Sequence, residues 1–302
     1  MPELPEVETL VRRLREPIVG RTIEHTTVYW KRTIARPAPK EFTRMLQGYT
    51  VQSIDRRAKY LVFTLIKHPS TAQRTHAERN TVESKHVRRS AQDAETSTSY
   101  LLIHLKMSGK LSVIDRTEPL AKHDRVVFDL DNGQQLRFND IRKFGKMWLV
   151  ADPEMVTGSI GPEPLDRAFT LPKFRDLVQS RSGTIKPLLL NQSFLAGVGN
   201  IYADESLWLA KIHPLRKIDS LTAAEVAALY RSIRKVLRTA IEDEGTDAGD
   251  GVIEGDYRPR VYGRTDQPCY RCHQLIHRIV VGQRGTHFCP HCQPRRGSSS
   301  KR

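Results

Sequence analysis

The four cysteines constrain this chain more than any other feature, because all of them lie in one short C-terminal stretch. They form two Cys-x-x-Cys pairs separated by sixteen residues: Cys269, Cys272, Cys289 and Cys292. In an intracellular chain this spacing indicates a metal site rather than disulfides. Two such pairs can direct four thiolates at one tetrahedral ion, and zinc needs no further ligand in a structural site. We therefore expect one structural Zn2+.

Charge and length narrow the class of protein. The 302 residues, enough for two modest domains and a small module, carry 49 Lys and Arg against 34 Asp and Glu, a net charge of +15. Such an excess favours a polyanionic partner, nucleic acid before an acidic membrane surface. No apolar run approaches the roughly 18 residues that span a bilayer, and the N-terminus lacks a secretory-signal pattern. We expect an intracellular protein, cytoplasmic or nucleoid-associated, with no membrane partner.

The first 150 residues predict mainly antiparallel sheet behind a leading helix. Apolar residues recur at helical spacing from 5 to 15, and Pro5 suits the first turn of that helix. Strand-like stretches follow at 22–30, 50–66 and 100–115. Residues 125–139 predict the clearest hairpin, because apolar residues alternate on both sides of Asn132-Gly133, a favoured two-residue turn.

Composition marks the domain boundaries. Residues 67–99 are polar and poor in large apolar side chains, so we expect a flexible insertion between two strands. Pro and Gly cluster in 151–165, which indicates a linker. Beyond it the apolar period is helical, and Thr222 and Glu225 predict a capping box at the start of a long helix. Two further segments are irregular: the Gly- and Asp-rich loop 245–257 and the basic, Ser-rich tail 295–302.

The N-terminus offers a nucleophile. Proline at position 2 permits removal of Met1, which would leave Pro2 as a secondary amine. An α-amino group titrates near about 8, so an appreciable fraction is neutral at pH 7. An amine that attacks a sugar C1′ gives an iminium, which makes elimination of the 3′ phosphate possible. Glu3 and Glu6 admit two interpretations: carboxylates that stabilise a helix N-terminus, or a proton donor and a residue that holds the nucleophile.

Motifs along the chain resemble the formamidopyrimidine-DNA glycosylase family. The opening PELPEVET is followed, in family order, by RRAKYL at 56–61, HLKMSGKL at 104–111, KHD at 122–124, DIRKFG at 140–145, GPEPL at 161–165, IKPLLLNQSFLAGVGNIYADESLW at 185–208 and VYGR at 261–264. The cysteine module, ending HFCPHCQ, closes the series. The resemblance covers nearly the whole chain apart from 67–99, 246–259 and the tail. It implies a DNA glycosylase and abasic-site lyase that excises oxidised purines.

The resemblance also implies catalytic roles. Pro2 is the Schiff-base nucleophile, Glu3 is the general acid for base release, and Glu6 helps to hold the nucleophile. Lys59 contacts phosphate and assists β-elimination. Arg284, at the tip of the zinc-ribbon hairpin, grips the phosphates beside the lesion and serves δ-elimination.

DNA-contacting residues are implied as well. Met107, Arg142 and Phe144 match positions that fill the gap left by an everted base and wedge the opposite strand, where apolar or planar side chains recover lost stacking. The other matching positions are His104, His123, Arg181, Lys186 and Asn200. The implied partner is duplex DNA with oxidised bases or abasic sites, bound by a monomer.

Pattern and resemblance together predict an α+β fold. It comprises an N-terminal antiparallel β-sandwich with flanking helices, a helical helix–two-turns–helix domain and a C-terminal zinc ribbon. The expected boundaries are 1–150 for the sandwich, 151–165 for the linker, 166–257 for the helical domain, 258–294 for the ribbon and 295–302 for a disordered tail.

Alternatives stay open at this point. The segment 246–259 is short and acidic where the family carries a longer loop over a flipped oxidised guanine, so a preference for oxidised pyrimidines or hydantoins is one alternative. Leu4, where the endonuclease VIII branch carries Gly, favours purines. A non-catalytic protein that binds damaged DNA is the other alternative, although pure binding has no need of an N-terminal amine. A zinc-ribbon transcription factor would leave the first 150 residues without a task.

Overall fold

A computed structural model of the chain describes residues 1–67, 97–247 and 255–295. Most of the predicted insertion, part of the loop at 246–259 and the tail beyond 295 therefore lie outside the described residues. The boundaries of the insertion at 67–99 need correction, because Lys67 still pairs with Ser97 as the two flanking strands continue in register. Polar residues can extend strands there because the backbone ladder, rather than burial, holds them.

Strands predominate in the N-terminal half and give way to helices in the middle. The α-helices in the described ranges are α1 (Leu4–Ile18), α2 (Pro39–Leu46), α3 (Glu154–Thr157), α4 (Leu171–Gln179), α5 (Ile185–Leu190), α6 (Asn200–Leu209) and α7 (Ala223–Glu242). The strands are β1 (Ile23–Val28), β2 (Ile34–Arg36), β3 (Thr50–Arg57), β4 (Tyr60–Lys67), β5 (Ser97–His104), β6 (Gly109–Asp115), β7 (Asp124–Leu130), β8 (Gln134–Asp140), β9 (Lys146–Val150), β10 (His277–Val281) and β11 (Arg284–Phe288). Among these helices, none combines the length and apolar character that a membrane span requires.

Two sheets share the N-terminal core. One has the order β1-β7-β8-β6, and the other has the order β2-β9-β5-β4-β3. The β7–β8 hairpin is confirmed, with Gly133 at a φ of 80° in its turn. Strand β2 pairs with β9 in parallel, so the predicted antiparallel sandwich is right except at this edge. Phe42, Phe63 and Phe128 from α2 and the two sheets are at most 1% exposed and join one apolar cluster.

Helix α1 contributes to two cores. Its apolar residues from Val7 to Ile18 pack with the two sheets. Leu4, at its first position, packs instead with the core of the helical domain. The backbone N–H of Glu3 donates to the Glu6 carboxylate at 2.8 Å, which satisfies a donor at the helix start. The first turn of α1 therefore lies where the two domains meet.

The helical domain surrounds α6. Residues 201–208 of this helix are all buried, because α5, α7 and the β11 strand pack against it. Helix α7 begins as predicted, with the Thr222 hydroxyl accepting a hydrogen bond from the Glu225 amide at 3.2 Å. The predicted linker 151–165 is ordered: it contains α3, and the Gly161 amide donates to the Gln192 carbonyl at 2.8 Å.

The C-terminal ribbon is a small module attached to α6. Strands β10 and β11 pair across a two-residue turn, Gly282-Gln283, in which both residues have positive φ. This backbone matches the twist of a tight hairpin. Trp208 of α6 packs with Val261, Ile276 and the cysteines in a third apolar cluster. The end of α6 therefore forms part of the ribbon's core.

Candidate active site and DNA interface

A cleft of about 240 Å³ lies where the sandwich, α6 and the ribbon meet. Five of the predicted site residues line it: Glu3, Lys59, Met107, Asn200 and Arg284. Met1 also lines the cleft, and Pro2, between Met1 and Glu3, is buried. The structure thus brings together residues that lie as much as 281 positions apart between Glu3 and Arg284.

The Glu3 carboxylate caps the N-terminus of α6. It accepts hydrogen bonds from the amides of Gly199 at 2.7 Å and Ile201 at 2.9 Å. Only glycine fits at 199, since a Cβ there would overlap the carboxylate. Burial raises the pKa of Glu3 to about 7; Lys59 opposes this shift and Glu6 adds to it. A carboxyl with this pKa can hold and release a proton near neutral pH.

Glu6 holds the N-terminal segment in place. Besides the Glu3 amide, its carboxylate accepts hydrogen bonds from the Tyr202 hydroxyl and, at 2.9 Å, from the Thr246 amide. Both added donors belong to the helical domain. Glu6 therefore fixes the backbone one residue beyond Pro2 and orients it against α6.

Lys59 is a buried cation that faces the cleft. Its ammonium donates to the Val198 carbonyl at 3.1 Å, and the residue is 6% exposed. Burial lowers the pKa of Lys59; Arg284 and Lys106 act in the same direction, and Glu3 and Glu6 oppose it. Lys59 and Glu3 thus form an electrostatically coupled pair inside the site.

Glu163, in the GPEPL segment, holds the turn that presents Lys59. Its carboxylate accepts hydrogen bonds from the Ala58 amide at 2.5 Å, the Arg56 guanidinium at 2.8 Å and the Arg57 guanidinium at 3.2 Å. Arg56 also donates to Glu8 of α1 at 3.1 Å. This network joins the segment before the helical domain, the β3–β4 turn and α1.

Arg284 lies at the hairpin tip, as the resemblance implied, and is exposed. The residues after it are anchored to the helical domain. The Asn200 side-chain amide donates to the Gly285 carbonyl at 2.9 Å, and the Lys186 ammonium donates to the Thr286 hydroxyl at 2.7 Å. Asp204 accepts from the His287 amide at 2.9 Å. These contacts fix the direction in which Arg284 enters the cleft.

Lys186, which the resemblance implied as a DNA contact, does not lie on the surface of this structure. Lys186 is fully buried and forms an ion pair with Asp204 at 2.6 Å, both side chains being 0% exposed. A buried charge with a buried partner has no surface left for a phosphate. Its contact with Thr286 makes it a residue that positions the hairpin.

Met107, Arg142 and Phe144 occupy two loops beside the cleft. Met107 follows β5 and is 40% exposed, while Phe144 lies between β8 and β9 and is 48% exposed. The Arg142 guanidinium lies 5.0 Å from the centroid of the Phe144 ring. Their exposure leaves both side chains accessible, as the predicted insertion into a base stack requires.

The remaining predicted DNA contacts differ in their surroundings. Burial, with help from Lys106 and Lys59, lowers the pKa of His104 to about 3, so its ring is neutral. Its Nδ1 accepts from the Lys106 amide at 2.9 Å. His123 is half-buried, with Nδ1 3.0 Å from the Arg125 guanidinium. Arg181 is exposed after the end of α4 and does not line the cleft.

The four cysteine sulfurs form a metal-binding group. All four Sγ atoms lie within 4.8 Å of one another, and the indole N–H of Trp208 donates to the Cys269 sulfur at 3.4 Å. Four thiolates with no other ligand match one structural Zn2+ and leave no position for a reacting water. The zinc prediction is confirmed.

Sequence reasoning missed several residues that shape the site. Tyr262 and Leu190 line the cleft, and Asp204, Glu163 and Asp140 hold its components. Each lies inside a motif that the sequence already singled out. Their roles depend on partners distant in the sequence, so the motif signalled importance without showing function.

Three known protein domains match consecutive parts of this chain. The profile of the formamidopyrimidine-DNA glycosylase N-terminal domain matches residues 1–147, that of the H2TH domain of the same enzyme matches 160–250, and that of a zinc finger found in FPG and IleRS matches 266–295. The formamidopyrimidine-DNA glycosylase of Herpetosiphon aurantiacus is 42% identical over 303 residues, which cover 97% of this chain and 100% of the relative. That of Protochlamydia amoebophila is 37% identical over 304 residues, with coverage of 97% and 99%.

Solved structures of related proteins align with nearly the whole of this chain. The Lactococcus lactis Fpg (MutM) in complex with DNA containing FAPY-dG aligns with a TM-score of 0.81 at 34% identity, covering 97% of this chain and 100% of that chain. A MutM complex with DNA containing carbocyclic 8-oxo-G gives the same values. The fold and the matches define a DNA glycosylase with abasic-site lyase activity. The chain belongs to the formamidopyrimidine-DNA glycosylase family.

Proposed function

We propose that this protein removes formamidopyrimidine and 8-oxoguanine from duplex DNA through a Schiff base at Pro2 and then cleaves the abasic site by β,δ-elimination. The observation that carries the proposal is the buried Glu3 carboxyl next to Pro2, with a pKa of about 7 and Lys59 facing it across the cleft. Relatives in complex with FAPY-dG, 8-oxo-G and abasic-site DNA support oxidised purines as the substrate class. None of these matches favours oxidised pyrimidines or a purely binding role.

Base release needs a nucleophile and an acid. Removal of Met1 frees the Pro2 amine, whose lone pair attacks C1′ of the damaged nucleotide. The glycosidic bond breaks, its electron pair goes to the base, and Glu3 supplies the proton that the departing group requires. The ionised Glu3 then takes the N–H proton of the attached Pro2 amine and passes it to O4′ as the C1′–O4′ bond breaks, which leaves an iminium between Pro2 and C1′ of the opened sugar. Glu6 holds the backbone that carries both groups.

Strand cleavage uses the iminium as an electron sink. Loss of a C2′ proton drives departure of the 3′ phosphate, and a second elimination releases the 5′ phosphate. Lys59 and Arg284 lie in the cleft as the cations that stabilise these leaving groups. Asn200 keeps Arg284 in reach through Gly285.

Duplex binding brings the nucleotide to this cleft. Met107 fills the gap that an everted base leaves, and Arg142 and Phe144 wedge the opposite strand. His104, His123 and Arg181 contact the DNA backbone, and the net charge of +15 makes binding strongly salt-dependent. The protein acts as a monomer on the chromosomal DNA of the nucleoid.

Borohydride trapping tests this proposal. Duplexes with 8-oxoguanine, a formamidopyrimidine, an oxidised pyrimidine or an abasic site are incubated with protein shown by mass to start at Pro2 and to hold zinc. We expect a covalent adduct that maps to Pro2, strongest for the oxidised purines and the abasic site. Glu3→Gln is expected to trap the abasic site but not 8-oxoguanine. If none of the duplexes gives an adduct, the protein binds DNA but does not carry out this chemistry.

A further inference from the structure

Two loops present the exposed side chains of Met107, Arg142 and Phe144. The Met107 loop comprises residues 105–108, between β5 and β6, and the wedge loop comprises residues 141–145, between β8 and β9. Each contains one lysine in the left-handed region, Lys106 at a φ of 55° and Lys143 at 61°. Such backbone persists only where the surroundings hold it in place.

A single buried carboxylate connects the two loops. Asp140, 0% exposed at the end of β8, accepts a hydrogen bond of 2.6 Å from the Ser108 hydroxyl through one oxygen. The other oxygen accepts from the Gly145 amide at 2.7 Å. The Arg142 amide lies within hydrogen-bond distance of both Asp140, at 3.2 Å, and Ser108, at 3.1 Å. Ser108 belongs to the Met107 loop, and the two amides belong to the wedge loop.

Packing beneath the carboxylate restricts both loops further. The Phe138 ring, 0% exposed, lies against Gly109 on one side and Gly145 on the other. A Cβ at either glycine would overlap this ring. The Phe138 ring therefore leaves no room for a side chain at position 145 of the wedge loop or at position 109, directly after the Met107 loop.

We propose that Asp140 and Ser108 lock the Met107 loop and the wedge loop into one rigid unit, so that gap filling and wedging occur together. The inference rests on the proposed function of Met107, Arg142 and Phe144. The two loops act on opposite strands at one base pair, so their separation must match the stack. Asp140 touches neither DNA nor the reacting atoms and is a positioning residue. Its chemistry suits this role because an ionised carboxylate can accept all three donors at once.

Hydrogen exchange in the DNA-free protein tests the lock without any activity. Ser108→Ala removes one contact from the Met107 loop, and we expect faster amide exchange at Arg142 and Gly145, in the loop that the substitution does not touch. Asp140→Asn should accelerate exchange in both loops. Asp115→Asn is the matched control, because Asp115 is an exposed aspartate in the neighbouring strand of the same sheet. Exchange that rises only around Ser108 in Ser108→Ala would overturn the inference.

Single-turnover kinetics test the consequence for DNA. Eversion matters for excision of an intact 8-oxoguanine more than for a preformed abasic site. We therefore expect Ser108→Ala and Asp140→Asn to lower the ratio of base release to abasic-site elimination by about tenfold, the loss typical of one missing buried hydrogen-bond partner. In a Met107→Ala/Phe144→Ala background the same substitutions should change the ratio little. An equal loss in both reactions would mean a general structural role and would overturn the proposal. If the wild type shows no cleavage while exchange still couples the loops, the proposed function fails and the lock stands.

Discussion

Glu163 and Ala58 are joined by a carboxylate–amide hydrogen bond of 2.5 Å across 105 residues of sequence. Ala58 has a φ of 53°, a backbone region that costs free energy for any residue with a Cβ. The bond stabilises that conformation, and the conformation sets the direction of Lys59, the next residue. The segment before the helical domain thus determines where Lys59, in the sandwich domain, points.

Glu163→Gln should therefore impair catalysis more than DNA binding. The glutamine amide cannot accept from all three donors, so the turn shifts and Lys59 loses its place. We expect the elimination rate at an abasic site to fall about tenfold and the free energy of unfolding to fall by about 1–3 kcal/mol. Rapid-quench kinetics and DNA titration separate the two effects. Glu154→Gln, an exposed glutamate nearby in the sequence, is the control. A rate unchanged per folded molecule would show that Lys59 is positioned by other means.

The raised pKa of Glu3 predicts how the rate of base release depends on pH. Its pKa of about 7 means that the acid form is depleted at higher pH, while the Pro2 amine becomes neutral near about 8. Base release should therefore follow a bell between about pH 7 and 8. Imine formation at a preformed abasic site does not need the acid, so its rate should lack the alkaline decline. An alkaline decline in both reactions would assign that limb to another group.

The same shift predicts a pH-dependent stability. The folded pKa of Glu3 exceeds its ordinary value of 4.5, so the folded protein binds more protons. This contribution is fully present below about pH 4.5 and is lost as the pH rises through 7. Between pH 5 and 8 the wild type should lose about 2–3 kcal/mol of unfolding free energy relative to Glu3→Gln. Urea unfolding at the two pH values measures the difference. Parallel curves for both proteins would mean that Glu3 ionises normally.

The buried pair Lys186–Asp204 predicts a large loss of stability. Lys186→Met leaves the Asp204 carboxylate without its cation, which costs about 3–5 kcal/mol. Lys186→Met/Asp204→Asn removes both charges and should recover part of the loss. Denaturant unfolding measures this cycle, with the exposed Lys173→Met as control. If the double variant is as unstable as the single one, the cost arises from packing and not from the stranded charge.

We expect one zinc ion per chain, and we expect this ion to hold the ribbon in its folded structure. Cys292→Ser removes one of four thiolates, so we expect loss of zinc, exposure of Trp208 and weaker DNA binding through Arg284. Metal analysis, tryptophan emission and DNA titration follow the three effects. His273→Ala changes the residue beside Cys272 but none of the four sulfurs, and it should retain zinc. Full zinc content in Cys292→Ser would exclude the four-thiolate site.

Local patterns predicted the elements that local forces determine. The α1 helix, the β7–β8 hairpin, the capped start of α7 and the cysteine ribbon all follow from spacing or turn chemistry within a few residues. The parallel β2–β9 pair joins strands more than 100 residues apart, and no local pattern specifies such a pairing. Short edge strands carry little signal of their own.

The site residues show the same limit. Glu3 and Glu6 left two interpretations open, and the structure bears on the helix-terminus one: Glu6 accepts from the Glu3 backbone, and Glu3 caps a different helix, 196 residues away at Gly199. The role of Glu3 as a proton donor stays a prediction. The burial of Lys186 was not predicted, because an isolated lysine in a DNA-binding motif is usually exposed. Its partner Asp204 lies on the next helix, and only the packing of α5 against α6 buries both.

The division of α1 between two cores has a consequence for chains that are still incomplete. A chain that ends at residue 150 has Pro2, Glu3 and Lys59, but it lacks the amides of residues 199–202 that hold Glu3 and the apolar partners of Leu4. The amine is present before its acid is in place. The contacts that hold Glu3 therefore form only when the helical domain has docked on the sandwich.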